Sequence, residues 1–422
     1  MPKTNGDSCI QVNGSARLKG EVKISGNKNA ALPILAAALL TEGDITLNNM
    51  PDLSDIRLMR TVLNELGAKT TFDNGVMTIN ARDVNKYETR FELMNQMRAS
   101  IYVIGPLLAR FGVARAPLPG GCAIGSRPVD FHINALVRMG ATLTFDHGSM
   151  ELRCGKLRGQ RIYLDFPSVG ATANIMMAAA LAEGTTVIEN AAEEPHIQDL
   201  AWFIKSIGGR VNGAGTKTIS IEGVAKLHGA SHTMIPDNIE AGTFMAAAAI
   251  TRGNISVEGV QLKDLRPIIV KLMECGVSIK EHKNALKVVG RKKLDPLKIT
   301  TLPHPGFPTD MQPQMMALLS TAEGVSIIKE TVWENRFMHV AELARLGANV
   351  NVQGNTCVII GTPQLNGSKV VATDLRAGAA LVLAGLASEG PTTVYRADHI
   401  DRGYERFEEK LRGLGADVTR PE

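Results

Sequence analysis

Leu63-Asn-Glu-Leu-Gly-Ala68 closes an apolar-periodic run, and the same phrase returns five times along the chain. It reads Leu136-Val-Arg-Met-Gly-Ala141, Phe203-Ile-Lys-Ser-Ile-Gly-Gly209, Leu272-Met-Glu-Cys-Gly-Val277, Leu343-Ala-Arg-Leu-Gly-Ala348 and Leu411-Arg-Gly-Leu-Gly-Ala416. The glycines fall at 67, 140, 208, 276, 347 and 415, in steps of 73, 68, 68, 71 and 68 residues. A glycine just past such a run marks a helix end, because it accepts left-handed backbone without a Cβ clash. Six copies of one unit of about seventy residues are therefore expected.

A second phrase precedes each of these: an Ala-rich helix that ends at another glycine and runs into a β-type stretch. Leu35-Ala-Ala-Ala-Leu-Leu-Thr-Glu-Gly43, Met177-Ala-Ala-Ala-Leu-Ala-Glu-Gly184 and Met245-Ala-Ala-Ala-Ala-Ile-Thr-Arg-Gly253 show it most clearly, and Ile104-Gly-Pro-Leu-Leu-Ala-Arg-Phe-Gly112 is the most divergent. Helices this apolar on every side belong inside a domain. Each unit reads helix, strand, loop, helix, strand, strand, an α/β pattern. Six such units suggest two domains of three, with the break around Ala230–Asp237. The expected domains are residues 27–235, carrying repeats one to three, and residues 1–26 with 236–422, carrying repeats four to six. The N-terminal strand Ile10–Leu18 is expected to pair in the second domain, and a cleft between the domains is the expected substrate site.

The repeat is also a ruler. From the glycine ending each Ala-rich helix to the next phrase glycine the spacings are 24, 28, 24, 23, 23 and 25. The longest interval holds Pro119-Gly-Gly-Cys-Ala-Ile-Gly-Ser-Arg-Pro-Val-Asp130, a glycine- and proline-framed stretch with one thiol, Cys122. Extra length on a repeated scaffold maps to a surface loop, often on the binding face.

Composition describes an ordinary globular protein of 422 residues, 44% hydrophobic and 21% charged, with a core of small and aliphatic residues because aromatics are only 4%. A net charge of +4 is too small to argue for nucleic acid, so no nucleic-acid partner is expected. No apolar stretch is long enough for a membrane span, and Met1–Asp7 lacks a signal-type core. The five cysteines (9, 122, 154, 275 and 357) are far apart and suggest no disulfide framework. Cytoplasmic location and no membrane partner are the expectations; nothing in the pattern assigns an oligomeric state.

Several residues at loops and helix starts carry candidate chemistry. Lys28 and Asn29 follow Ser25-Gly-Asn before an apolar helix, and Ser168-Val-Gly-Ala-Thr172 opens another; such starts suit anions. Arg98, Arg127, Arg336, Arg376 and Arg402 recur about once per unit. Three stand near carboxylates, in Asp374-Leu-Arg376, Asp401-Arg402 and Glu334-Asn-Arg336. They read either as surface salt bridges or, together, as a grip on phosphate and carboxylate. Asp310, in Phe307-Pro-Thr-Asp-Met-Gln312, reads either as a helix cap or as a general base. No Walker loop, GxGxxG or GxSxG occurs, and no histidine spacing supports a metal; His228-x-x-x-His232 reads as incidental.

Gly26-Asn-Lys-Asn-Ala-Ala-Leu-Pro, Leu118–Asp130, Phe307–Gln312, Glu334-Asn-Arg-Phe-Met-His and His399-Ile-Asp-Arg-Gly-Tyr-Glu-Arg together resemble the UDP-N-acetylglucosamine 1-carboxyvinyltransferase family, within the EPSP synthase superfamily. The likeness runs from about Ile10 to the C-terminus. It implies a two-domain inside-out α/β barrel of six repeats, three per domain. It also implies transfer of the enolpyruvyl group of phosphoenolpyruvate to the 3-hydroxyl of UDP-N-acetylglucosamine, the first committed step of peptidoglycan synthesis, with no cofactor. By that resemblance Lys28, Asn29, Arg127 and Arg402 would hold phosphoenolpyruvate, and Arg98 would read the nucleotide side. Arg127, Pro128, Val129, Asp130 and Phe131 would line the uridine pocket, with Ser168, Val169 and Gly170 near the diphosphate. Asp310 would take the proton of the sugar hydroxyl, Val332 would hold the sugar, and Asp374, Arg376 and Arg336 would complete the charged floor. Cys122 would act as acid and be able to capture phosphoenolpyruvate. Two positions depart from the pattern: Phe166 stands where some members carry lysine, and Asn238 where some carry arginine.

The shikimate-pathway enolpyruvyl transferase shares the six-repeat architecture, but the long Cys122 loop argues against it. A catalytically dead nucleotide-sugar binder and a cysteine redox sensor are the readings from other classes.

Overall fold

The computed structural model describes residues 8–14, 16–117 and 129–421. Two compact units appear: residues 26–117 with 129–235, and residues 8–25 with 236–421. The chain passes from one to the other beside Ser25 and again beside Pro236.

In the 26–235 unit the inner helices are Lys28–Ala37, Ile104–Phe111 and Val169–Ala179. Every residue of Lys28–Ala37 except Asn29 is buried, so this helix has no solvent face to make it amphipathic. Small residues set the spacing: a Cβ on Gly105 would lie 2.3 Å from Asn174 Oδ1 on the neighbouring helix. The second helix of each repeat, Ser54–Leu66, Asp130–Arg138 and Pro195–Ser206, carries polar residues on one side and buries the other. In the 236–421 unit the inner helices are Asn238–Ile250, Gln312–Leu319 and Leu375–Ala387. Their outer counterparts are Leu262–Glu274 and the shortened Val340–Arg345 and Phe407–Gly413.

All six phrase glycines have left-handed backbone, with φ of 107°, 104°, 97°, 93°, 86° and 88° in chain order. Each ends an outer helix; the first five release the chain into a hairpin, as at Lys69–Asp73 with Val76–Asn80, whereas Gly415 leads into the single strand Asp417–Thr419. The strand after the inner helix joins that hairpin antiparallel, or in the sixth repeat joins Cys9–Asn13, and a parallel edge strand arrives from elsewhere except at Val113–Pro117, where Glu88 forms only an isolated parallel bridge to Arg115. Arg161–Tyr163 lies along Thr185–Glu189, and Ala230–Thr233, the last strand of its unit, returns to Ile45–Asn48. In the other unit Lys298–Thr300 serves Val325–Lys329 and Lys369–Val371 serves Pro391–Tyr395.

The expected strand Ile10–Leu18 ends at Asn13, and a second strand, Lys19–Lys23, follows the expected range. Cys9–Asn13 lies between Pro391–Tyr395 and Asp417–Thr419, antiparallel to both, while Lys19–Lys23 is the parallel edge of Asn254–Glu258.

Candidate active site

In the 236–421 unit one carboxylate gathers two arginines. Asp310 sits inside the 3-10 turn Thr309–Met311 that leads into the inner helix Gln312–Leu319. Its Oδ1 accepts from Arg336 Nη2 at 3.1 Å, and its Oδ2 from Arg376 Nε at 3.3 Å and Nη2 at 3.2 Å. The arginine side chains are 1% exposed, whereas the aspartate side chain keeps 29%. Burying two guanidiniums is costly unless they are paired. Here one shared carboxylate pairs with both and still presents an edge to solvent.

Further polar groups hold this cluster. The Arg376 guanidinium stacks 5.2 Å from the Tyr404 ring centroid, and Tyr404 Oη meets Thr243 Oγ1 and Gln314 Nε2, each at 3.0 Å. Asp374 caps Leu375–Ala387, accepting from the amides of Arg376 at 2.9 Å and Ala377 at 3.1 Å. His339 is fully buried; burial lowers its pKa to about 4, against the pull of Asp374 and with the help of Arg336. His399 is also lowered, chiefly by burial and Arg396, and it feels Arg402 and Asp374. Arg402 is half-buried at the end of the 3-10 turn Ala397–Arg402. Val332 follows Glu330, whose carboxylate binds its amide at 2.8 Å.

The surface-salt-bridge reading fails for two of the arginines. Arg336 and Arg376 turn inward to a carboxylate distant in sequence. Asp401 pairs with Arg420 at 2.7 Å instead.

The 26–235 unit holds a second group. Lys28 and Asn29 open the helix Lys28–Ala37, capped by Asn27, whose side chain accepts from Ala30 N at 3.0 Å. Lys28 Nζ lies 3.2 Å from Asp55 Oδ2, and both are buried. Ser168 caps Val169–Ala179, accepting from Ala171 N at 3.3 Å, and Val169 and Gly170 form its half-exposed first turn. Asp130 and Phe131 begin the adjacent helix, with Val129 before them. His132 joins the two helices: its Nδ1 takes a hydrogen from Asn174 Nδ2 at 3.0 Å, and a Cβ on Gly170 would come within 3.0 Å of its Nε2. That pairing fixes Nδ1 as acceptor and leaves the ring proton on Nε2. Phe166 is exposed, and Asn238 opens Asn238–Ile250 behind its Asp237 cap. Arg98 begins the 3-10 turn Arg98–Val103. Cys122, Arg127 and Pro128 lie outside the described residues.

Asp55, His132, Asn174 and Glu330 gave no sequence signal, because their partners are remote in the chain, and His339 and Tyr404 stand inside the quoted motifs with no role assigned to them. His232 also does more than its spacing suggested. It meets the buried Asp199 at 2.9 Å in a part-buried pair, while His228 bonds to the Gly229 carbonyl. Burial pushes the thiol of Cys275 up to about 12, that of Cys357 to about 11, and that of Cys154 in the same direction, so these three make poor thiolates. Among the described residues no three His, Cys, Asp or Glu side chains gather as a metal site, and no helix is long and apolar enough to cross a membrane.

The profile of the family described as EPSP synthase (3-phosphoshikimate 1-carboxyvinyltransferase) matches residues 12–411. UDP-N-acetylglucosamine 1-carboxyvinyltransferase 2 of Carboxydothermus hydrogenoformans is 56% identical over 97% of this chain and 98% of its own. The transferase of the same name, numbered 1, from Halalkalibacterium halodurans is 53% identical over 97% and 94%. Among solved structures, the enolpyruvyl transferase NikO from Streptomyces tendae superposes with a TM-score of 0.89 at 28% identity, covering 98% of this chain and 99% of that one. EPSP synthase from Acinetobacter baumannii shares the fold, with a TM-score of 0.77 at 18% identity over 98% of this chain and its own full length.

Proposed function

The chain belongs to the EPSP synthase family, and on that premise we propose that it moves the enolpyruvyl group of phosphoenolpyruvate to the 3-hydroxyl of UDP-N-acetylglucosamine. It is a carboxyvinyltransferase with the two-domain inside-out α/β fold, and its reaction opens peptidoglycan synthesis. The hydroxyl oxygen adds to C2 of phosphoenolpyruvate while the hydroxyl proton leaves and C3 gains one. The tetrahedral adduct then loses a C3 proton as the C2–O bond to phosphate breaks, giving the enol ether and inorganic phosphate.

The observation that carries this reading is Asp310, a carboxylate clamped by Arg336 and Arg376 yet partly open to solvent, in a chain whose relatives bear this activity. We assign it the hydroxyl proton, since a general base must be held within hydrogen-bond reach of the group it deprotonates. The two guanidiniums fix its oxygens. Lys28, Asn29, Arg127 and Arg402 are assigned to the phosphate and carboxylate of phosphoenolpyruvate, where fixed positive charge offsets the charge that gathers in the adduct. The capped start at Ser168, Val169 and Gly170 suits the diphosphate, because free amides point outward there. Val129, Asp130 and Phe131, with Arg127 and Pro128, are assigned to the uridine, Arg98 to the nucleotide side, Val332 to the sugar, and Asp374 to the charged floor. Cys122 is assigned the proton for C3. The location proposed is the cytoplasm; the unpaired thiols of Cys9, Cys154, Cys275 and Cys357 suit a reducing compartment.

Phosphate release is the deciding assay. Turnover is expected with UDP-N-acetylglucosamine and phosphoenolpyruvate and not with shikimate 3-phosphate as acceptor; the reverse preference would sink the assignment.

A further inference from the structure

Glu330 is the first residue past the strand Val325–Lys329 and is 2% exposed. Its Oε1 accepts from Thr301 Oγ1 at 2.8 Å, Val332 N at 2.8 Å and Trp333 N at 3.2 Å. Its Oε2 accepts from Thr309 Oγ1 at 2.9 Å. Thr301, itself buried, takes the Thr331 amide on its hydroxyl at 3.0 Å and the Thr331 hydroxyl on its carbonyl at 2.5 Å. A single carboxylate therefore ties the segment just before Asp310 to the segment that carries Val332.

Such a group is expensive to bury unless its lone pairs are filled. Hydroxyls and amides fill them here, which makes the geometry of the two loops a condition of the carboxylate's burial. The pseudo-symmetry of the chain shows what Thr309 gives up. Ser168 and Asp237 each follow a proline, as Thr309 does, and each caps the helix it starts by accepting backbone amides on its side-chain oxygen, at 3.3 Å for Ser168 and at 2.8 and 2.9 Å for Asp237. The 3-10 turn Thr309–Met311 and the helix Gln312–Leu319 have no side-chain cap. The Thr309 hydroxyl goes to Glu330 instead, and the chain enters its helix through the turn that presents Asp310.

We propose that Glu330 is a positioning residue for the proton transfer at the sugar hydroxyl. Oε2 holds Thr309 and so sets the place of Asp310, while Oε1 holds the backbone of Val332 and Trp333 beside the sugar. This role rests on the function proposed above.

The test is steady-state phosphate release with active sites counted by titration. Absence of wild-type turnover would remove the function and this role together. With turnover present, Thr309→Val is expected to lower kcat about tenfold, the scale of loss that a displaced reacting group brings, while KM for phosphoenolpyruvate holds. Thr309→Ser keeps the hydroxyl, and Glu330→Gln keeps an acceptor for the two amides while its amide donates to Thr309; both are expected within about twofold of wild-type kcat. Glu330→Ala should match or exceed the Thr309→Val loss, and should add nothing in an Asp310→Asn background, because both changes disable one step. If Glu330→Ala fails to fold, Thr309→Val and its serine rescue still decide the matter, since both preserve the carboxylate. An unchanged kcat in Thr309→Val, or a loss that Thr309→Ser does not reverse, overturns the positioning role and leaves the proposed function standing.

Discussion

Acidification from pH 7 to pH 5 should destabilise the 236–421 unit through one histidine. His339 is fully buried, and burial lowers its pKa from 6.5 to about 4; Asp374 draws it back up and Arg336 presses it further down. In the folded chain the ring stays neutral until about pH 4, whereas the unfolded chain protonates it near 6.5. Between those values the unfolded state binds more protons, so stability falls as pH falls through that window. At 1.4 kcal/mol per pH unit the loss from this residue is about 2 kcal/mol at pH 5 and about 3 kcal/mol below pH 4. Urea unfolding followed by far-ultraviolet circular dichroism, at pH 7 and at pH 5, measures it when wild type is set against His339→Gln. Other groups titrate in both proteins and cancel in the difference. Wild type should lose about 2 kcal/mol more than the variant on the transition of this unit. Equal losses in the two proteins would refute the assignment of the buried neutral ring.

Asp310→Asn is expected to bind UDP-N-acetylglucosamine in a calorimeter while its phosphate release falls at least about a hundredfold, the scale of a lost general base; loss of folding would instead make Asp310 a structural residue. Cys122→Ser should abolish turnover and labelling by the epoxide fosfomycin, and persistent labelling in mass spectrometry would move the reactive thiol elsewhere. Cys122→Asp should retain turnover without labelling, because a carboxylic acid can donate the proton but lacks the sulfur nucleophile. Gly105→Ala would set a methyl group 2.3 Å from Asn174 Oδ1 and 2.6 Å from Asn174 O. Overpacking of that kind should cost about 2 kcal/mol, read as a lower urea midpoint of the 26–235 unit.

Much of the fold is legible in the sequence because its signals are local. The six phrase glycines mark helix ends through their own φ, and the Ala-rich runs declare burial through their own composition. The ordering of strands is another matter. Ala230–Thr233 pairs with Ile45–Asn48 across most of a unit, and Cys9–Asn13 pairs with Pro391–Tyr395 across nearly the whole chain. No local pattern specifies either partner. The site divides in the same way. Asp310, Arg336 and Arg376 could be singled out by residue type and by their place at helix starts, but not that the three form one cluster. Asp55 beside Lys28 and His132 beside Gly170 were invisible, since a buried polar residue looks like any surface one until its partner is known.

Repetition supplies the missing contrast. Asn27, Ser168, Asp237 and Asp374 stand at the same place in four of the repeats, and each caps its inner helix with a side-chain oxygen. Capping is worth about 1 kcal/mol, so a scaffold copied six times has reason to keep it. Repeat two, at the turn Arg98–Val103 and the helix Ile104–Phe111, and repeat five both lack it, and in repeat five the structure shows where the capping group has gone. Thr309 lends its hydroxyl to Glu330, the helix begins as a 3-10 turn, and the next residue, Asp310, meets two buried guanidiniums. Local rules are broken where a compensating demand exists, and the compensation here is a carboxylate fixed from both sides and still reachable by a hydroxyl. The Cys122 stretch departs from the same scaffold by excess length rather than by a lost cap. On the proposed mechanism one departure would supply the acceptor for the hydroxyl proton and the other the donor for C3, the two proton transfers that the addition step requires.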